Sequence, residues 1–125
     1  MYPIRSVQDT GARIAFGSDW SVSSANPFQQ IEVALTRQDP LLESGTAFIP
    51  EERIDLASAI AAFTINAAYV NSHDDSTGSI EAGKLADLIV IDRNLFEIDT
   101  QEISEAEVLL TLFDGEPVHG DPGSL

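Results

Sequence analysis

The chain has 125 residues, room for one ordinary domain with a core of usable size. Its 21 Asp and Glu against 6 Lys and Arg give a formal net charge of -15, which repels phosphate backbones and anionic lipid and speaks against nucleic-acid and membrane partners. No cysteine is present, which excludes disulfides, thiolate metal sites and cysteine nucleophiles. The acidity itself reads as a solvated face or as adaptation to high salt, with a single lysine, Lys84, in the whole chain. Met1 to Gln8 holds no apolar run of signal-peptide type. No window approaches the roughly 18 apolar residues of a membrane span. The expected location is cytoplasmic.

In chain order, Ile4 to Gly11 predicts a short helix running into a turn. Arg13-Ile14-Ala15-Phe16 is a brief apolar run closed by Gly17-Ser18-Asp19, the pattern of a buried strand feeding a loop. Asn26 as a cap and Pro27 at the first helical position open a helix. Phe28, Ile31, Ala34 and Leu35 recur at helical spacing up to Arg37, and Asp39-Pro40 breaks the pattern. An irregular loop is expected from Pro40 to Ile49, around Ser44-Gly45-Thr46. Pro50-Glu51-Glu52 then predicts the start of a longer helix reaching residue 70. Ile54, Ala57, Ala61, Ile65 and Ala68 form its apolar face, widened by Leu56, Ile60 and Phe63.

The composition shifts at Asn71 to Gly78, a polar stretch without periodicity that marks a domain boundary and divides the chain into 1–72 and 73–125. Beyond it the pattern is that of strands. Leu88-Ile89-Val90-Ile91 is β-branched, and Val108 to Phe113 is a second run. Asp114-Gly115 is a hairpin signal, with Glu116 to His119 as the returning strand. One strand followed by two helices is not a complete fold, because a lone strand cannot satisfy its backbone and an α/β sheet needs further strands. The first part therefore reads as the end of something larger.

Two segments carry a resemblance. Arg13-Ile-Ala-Phe-Gly-Ser-Asp19-Trp20-Ser21-Val22 and Gly78-Ser-Ile-Glu-Ala-Gly83-Lys84-Leu-Ala-Asp87-Leu-Ile-Val-Ile-Asp92 resemble signatures of the amidohydrolase superfamily. Thr64-Ile-Asn66-Ala-Ala-Tyr69 between them is another feature of it. Order and spacing agree from about Tyr2 to Gly120, and the branch is similar to amidohydrolase family 3, which includes N-substituted formamide deformylases. The resemblance implies an α/β fold: the last β/α unit of a (β/α)8 metal-dependent hydrolase barrel over 1–72, with Ile14 to Phe16 as the last barrel strand and helices at 27–37 and 50–70. Residues 73–125 would be the C-terminal half of a composite β-sandwich domain. A barrel of this type needs roughly 250 residues, so only its last unit would be present.

The resemblance implies a role for Asp19 as divalent-metal ligand and as acceptor of a proton from the attacking water; residues at the C-terminal ends of barrel strands face the active site. From the residues alone, Asp19 reads equally as a turn or capping aspartate. Trp20 either lines a substrate pocket or packs between strand and helices. Ser21 stands where the family usually has proline. One carboxylate does not hold a catalytic zinc, which takes three protein ligands. The remaining ligands of the family cannot be placed here, and His73 and His119 read as surface or structural residues. Lys84, Asp87 and Asp92 read as turn and strand-end residues, and Arg5 and Arg37 as partners for some of the acids.

The expected function is thus the C-terminal portion of a hydrolase acting on a non-peptide C–N bond of amide or formamide type. The intact enzyme would carry a divalent metal such as zinc; this chain alone would bind none and be inactive. Its partners would be a small amide-type substrate and the remainder of the barrel. The alternative is a truncated, non-catalytic remnant that self-associates as a structural domain through open strand edges.

Overall fold

The computed structural model describes residues 2–40, 42 and 45–125. Four α-helices come first: α1 (Ile4–Gln8), α2 (Pro27–Thr36), α3 (Leu56–Phe63) and α4 (Ile65–Val70). Three strands follow, β1 (Leu88–Ile91), β2 (Val108–Phe113) and β3 (Glu116–His119). Short 3-10 turns lie at Pro50–Glu52, Thr100–Glu105 and Pro122–Ser124. None of the described helices is long and apolar enough to cross a membrane.

Helix α2 forms as its sequence dictates. The Asn26 side chain accepts the Phe28 N–H at 2.9 Å and Pro27 occupies the first helical position. Its apolar face buries Phe28, Ile31 and Ala34. It ends at Arg37, which is left-handed (φ 58) and donates its N–H to the Val33 carbonyl. The loop that follows returns with the Phe48 N–H on the Arg37 carbonyl at 2.7 Å. Of that loop's expected centre, Ser44 lies outside the described residues.

The long helix expected over 50–70 is three pieces. Pro50–Glu52 is a single 3-10 turn. The α-helix starts afresh at Asp55, whose carboxylate accepts the Ser58 N–H at 2.8 Å, a stronger start signal than the proline. It breaks at Thr64 (φ -118, ψ -99), whose hydroxyl donates back to the Ile60 carbonyl at 2.8 Å. Such back-bonding hydroxyls compete with helix continuation.

The expected strand at Ile14–Phe16 is neither helix nor turn and belongs to no ladder. Its partners are helical: the Phe16 N–H donates to the Ala62 carbonyl at 3.0 Å, a group that the break at Thr64 leaves available. A strand needs a neighbouring strand, and the described residues offer none on this side of the molecule.

In the second half the expected strands are all present, in the order β1-β2-β3, antiparallel throughout. Leu88 faces Leu112 and Val90 faces Leu110, with a bulge between Val90 and Ile91. The Asp114-Gly115 turn has positive φ at both residues (50 and 83), as a two-residue hairpin of primed type requires. Asp87 accepts the Asp114 N–H at 2.8 Å, so the turn is pinned to the approach of β1. A turn unforeseen in the sequence, Thr100–Glu105, is opened by a capping box between Asp99 and Glu102.

That turn packs on α2. Ile103 is fully buried, and with Leu95 and Ala106 it joins Phe28, Ile31, Ala34, Ile54 and Ala59 in one core. Residues from both sides of position 72 therefore share apolar burial. Two buried carboxylates tie elements together. Glu32 accepts the Ser104 N–H at 2.8 Å, and Glu52 accepts the Ser6 N–H at 2.9 Å and the Ser6 hydroxyl. The Ser6 hydroxyl holds the Glu52 carboxyl below its usual range.

The polar stretch 71–84 is a packed turn. Lys84 holds it together: its ammonium donates to the Asp74 carbonyl (2.6 Å), the Thr77 carbonyl (3.3 Å) and the Ser79 hydroxyl (2.6 Å). Gly78 (φ +84) lies so close to α4 that a Cβ there would sit 2.6 Å from the Ala68 Cβ.

Candidate active site

The segment that presents Asp19 is held at one end by the junction of α3 and α4. Beside the bond from Phe16 to Ala62, the Asn66 side-chain amide donates to the Ile14 carbonyl at 3.0 Å. The Phe16 and Phe63 rings meet edge-on at 5.4 Å. The Arg13 guanidinium lies 4.0 Å from the centre of the Tyr69 ring, within cation–π range.

Past Gly17 the chain turns on itself. The Trp20 N–H donates to the Ser18 hydroxyl at 3.2 Å, the Ser23 hydroxyl donates to the Ser18 carbonyl, and the Val22 N–H donates to the Asp19 carbonyl at 2.8 Å. Asp19 is left-handed at φ 50, a conformation that aspartate tolerates better than most side chains. Its carboxylate is exposed and accepts no hydrogen bond among the described residues. A capping or turn role would show a bond from that carboxylate to a nearby N–H. Asp55, Asp99 and Asp121 each make such a bond.

Trp20 is 73% exposed and Val22 84% exposed, so Trp20 is not packed between strand and helices. A cleft of about 740 Å³ opens beside Gly17 between Phe16, Val33, Ala34 and Phe63. It is mostly apolar, and Asp19 does not line it. The Gln30 side-chain oxygen at its wall is buried and unpaired.

Among the described residues no group of three or more His, Asp or Glu side chains could hold a metal ion. Asp19 fits the part of one ligand, with two free oxygens and no competing donor, but it is not a metal site by itself. The two histidines lie away from Asp19 in sequence, in the turn at 73–77 and in β3. The His119 ring contacts the Val108 carbonyl at 3.1 Å, and the His73 backbone anchors the turn at 73–77. Asp92 receives the Arg93 guanidinium and the Glu107 N–H, and the Arg93 contact holds its carboxyl below the usual range. Arg5 pairs with Asp9 at 2.8 Å, while Arg37 donates to the Phe48 carbonyl. Sequence reasoning noted Asn66 only as part of a motif. The signal for more was a single carboxamide inside an otherwise apolar run.

The amidohydrolase family model matches residues 1–119. The chain is 34% identical over 115 residues to N-substituted formamide deformylase of Arthrobacter pascens, covering 92% of this chain and 21% of that protein. It is 36% identical over 118 residues to Protein LONG AFTER FAR-RED 3 of Arabidopsis thaliana (94% and 20%). It is 34% identical over 101 residues to 5-methylthioadenosine/S-adenosylhomocysteine deaminase of Teredinibacter turnerae (81% and 22%). No solved structure gives a significant match. The chain belongs to the amidohydrolase family. It spans about a fifth of the length of these relatives.

Proposed function

We propose that the chain is the C-terminal piece of a metal-dependent amidohydrolase that cleaves a non-peptide C–N bond of amide or formamide type, and that it is inactive alone. Residues 1–72 would end a (β/α)8 barrel, with Ile14–Phe16 as its last strand, and 73–125 would form part of a small β-sandwich domain. The remainder of the barrel would cover the apolar cleft at Phe16 and supply the missing metal ligands. The observation that carries this is the unpartnered Asp19 carboxylate, presented beyond the Ile14–Phe16 segment in a chain of this family.

A divalent metal, zinc being the usual choice, would polarise the scissile carbonyl and make water acidic. Asp19 would give it one oxygen. The same carboxylate would take a proton from the attacking water and pass it to the departing nitrogen, so that the C–N bond breaks to give an acid and an amine. Trp20, exposed beside it, would line the substrate's approach.

The test is Asp19→Asn in the full protein that the gene encodes, with an N-substituted formamide as substrate and formate release as the signal. Turnover should fall about a thousandfold. Stability should change by less than about 0.5 kcal/mol, because asparagine tolerates the left-handed backbone and no bond is lost. Wild-type turnover in the variant would refute the role of Asp19.

A further inference from the structure

Among the described residues, the only side-chain hydrogen bond that reaches residues 13–16 comes from Asn66. We infer that Asn66 is a positioning residue: through the Ile14 carbonyl it sets the register of the segment that presents Asp19. For its catalytic meaning this rests on the function proposed above.

Ile14 and Phe16 are two apart, so in extended chain their polar groups point to the same edge. Along that edge a neighbouring strand would offer a donor and an acceptor. Here the Asn66 amide supplies the donor, to Ile14, and the Ala62 carbonyl supplies the acceptor, for Phe16. Both bonds lie on one edge, two residues apart. The Ala62 carbonyl alone would leave the segment free to pivot about Phe16; a second bond two residues away fixes its direction. Ring contacts at Phe63 and Tyr69 bear on the same four residues but carry no directional bond. From Phe16 only Gly17 and Ser18 separate the anchored part from Asp19. The turn beyond is closed on itself through Ser18, so a displacement at Ile14 is delivered to Asp19 rather than absorbed.

The break at Thr64 is what makes this possible. It redirects α4, so that Asn66, in the first turn of α4, meets the segment at the point where the Ala62 carbonyl is also free.

The experiment is residue-resolved amide hydrogen exchange on the full chain, comparing wild type with Asn66→Asp, which keeps the shape and removes the donor. The Phe16 amide, whose bond to Ala62 lies on the same edge, should exchange about tenfold faster, the size of one lost hydrogen bond, while Trp20 and Val22, closed within their own turn, and Leu110 and Leu112 in β2 keep their wild-type rates. Asn66→Gln, which retains a carboxamide donor, should recover much of the protection. A uniform rise that includes β2, or a rise confined to residues 66–70, would overturn the inference. If Asn66→Asp does not fold, Asn66→Ala is judged by the same outcomes. Asp19 is tested by turnover and Asn66 by exchange, so either idea can fail while the other stands.

Discussion

The segments 13–24 and 85–119 start from the same kind of sequence, short apolar runs punctuated by Gly and Asp, and end in opposite conditions. In 85–119 the runs pair with one another, and three acids are bonded: Asp87 to the Asp114 N–H, Asp92 to Glu107 and Arg93, Asp99 within its capping box; Asp114 in the hairpin turn, left-handed like Asp19, has no such bond to its carboxylate among the described residues. In 13–24 the run pairs with helices, and the carboxylate of its acid, Asp19, bonds to nothing described. An aspartate with a local partner is part of the scaffold. Asp114 shows that an uncommon backbone conformation alone does not mark a site; what sets Asp19 apart is the motif that carries it.

The contrast can be tested first at the core. Ile103 belongs to the second half by sequence but is fully buried against α2. Ile103→Ala should cost about 3–4 kcal/mol, seen in urea unfolding. Helical circular dichroism and the exchange protection of β2 should be lost in one transition. Two separate transitions would show that the halves have independent cores and would sharpen the division at 72.

A smaller effect is expected where the halves meet. Gly78→Ala would place a Cβ against Ala68 at a backbone φ of +84, and should cost about 2 kcal/mol, read as a lowered urea midpoint. An unchanged midpoint would mean that the 71–84 turn is free to move away from α4, and that the two regions are joined more loosely than they look.

The smallest is at the start of α3, which supports the clamp on residues 13–16. Asp55→Ala should cost about 1 kcal/mol at neutral pH. Hydrogen bonding from the Ser58 N–H lowers the Asp55 carboxyl below its usual value, so the folded state favours the ionised form. The stabilisation is therefore complete above the unfolded value of about 3.9 and disappears as pH falls through the lower folded value. Thermal melts of wild type and variant should converge in that acid range, and a gap that persists there would rule out the carboxylate as its cause.

What the sequence made legible follows the same division. Asn26-Pro27 and Asp114-Gly115 act within a few residues, so α2 and the β2–β3 hairpin could be read directly. Asp99 and Glu102, three residues apart, carry an equally local signal for the turn at Thr100–Glu105. The helix at 50–70 was overextended because the apolar periodicity runs through Thr64, while the break depends on one hydroxyl bond. The ladder expected for Ile14–Phe16 required a neighbour, which no local pattern can report. The motif singles out Asp19, whose role is the one proposed above. The clamp that positions it spans 52 residues between Ile14 and Asn66, a relation visible only in three dimensions.

Lys84 has a practical consequence. It carries the only ε-amine in the chain, and its side chain is 11% exposed with its protons directed at Asp74, Thr77 and Ser79. An acylating reagent can reach that nitrogen only while the turn is open. The rate at which one acyl group is incorporated at Lys84 thus becomes a clock for the breathing of the junction between the two regions, with no second lysine to confuse the count.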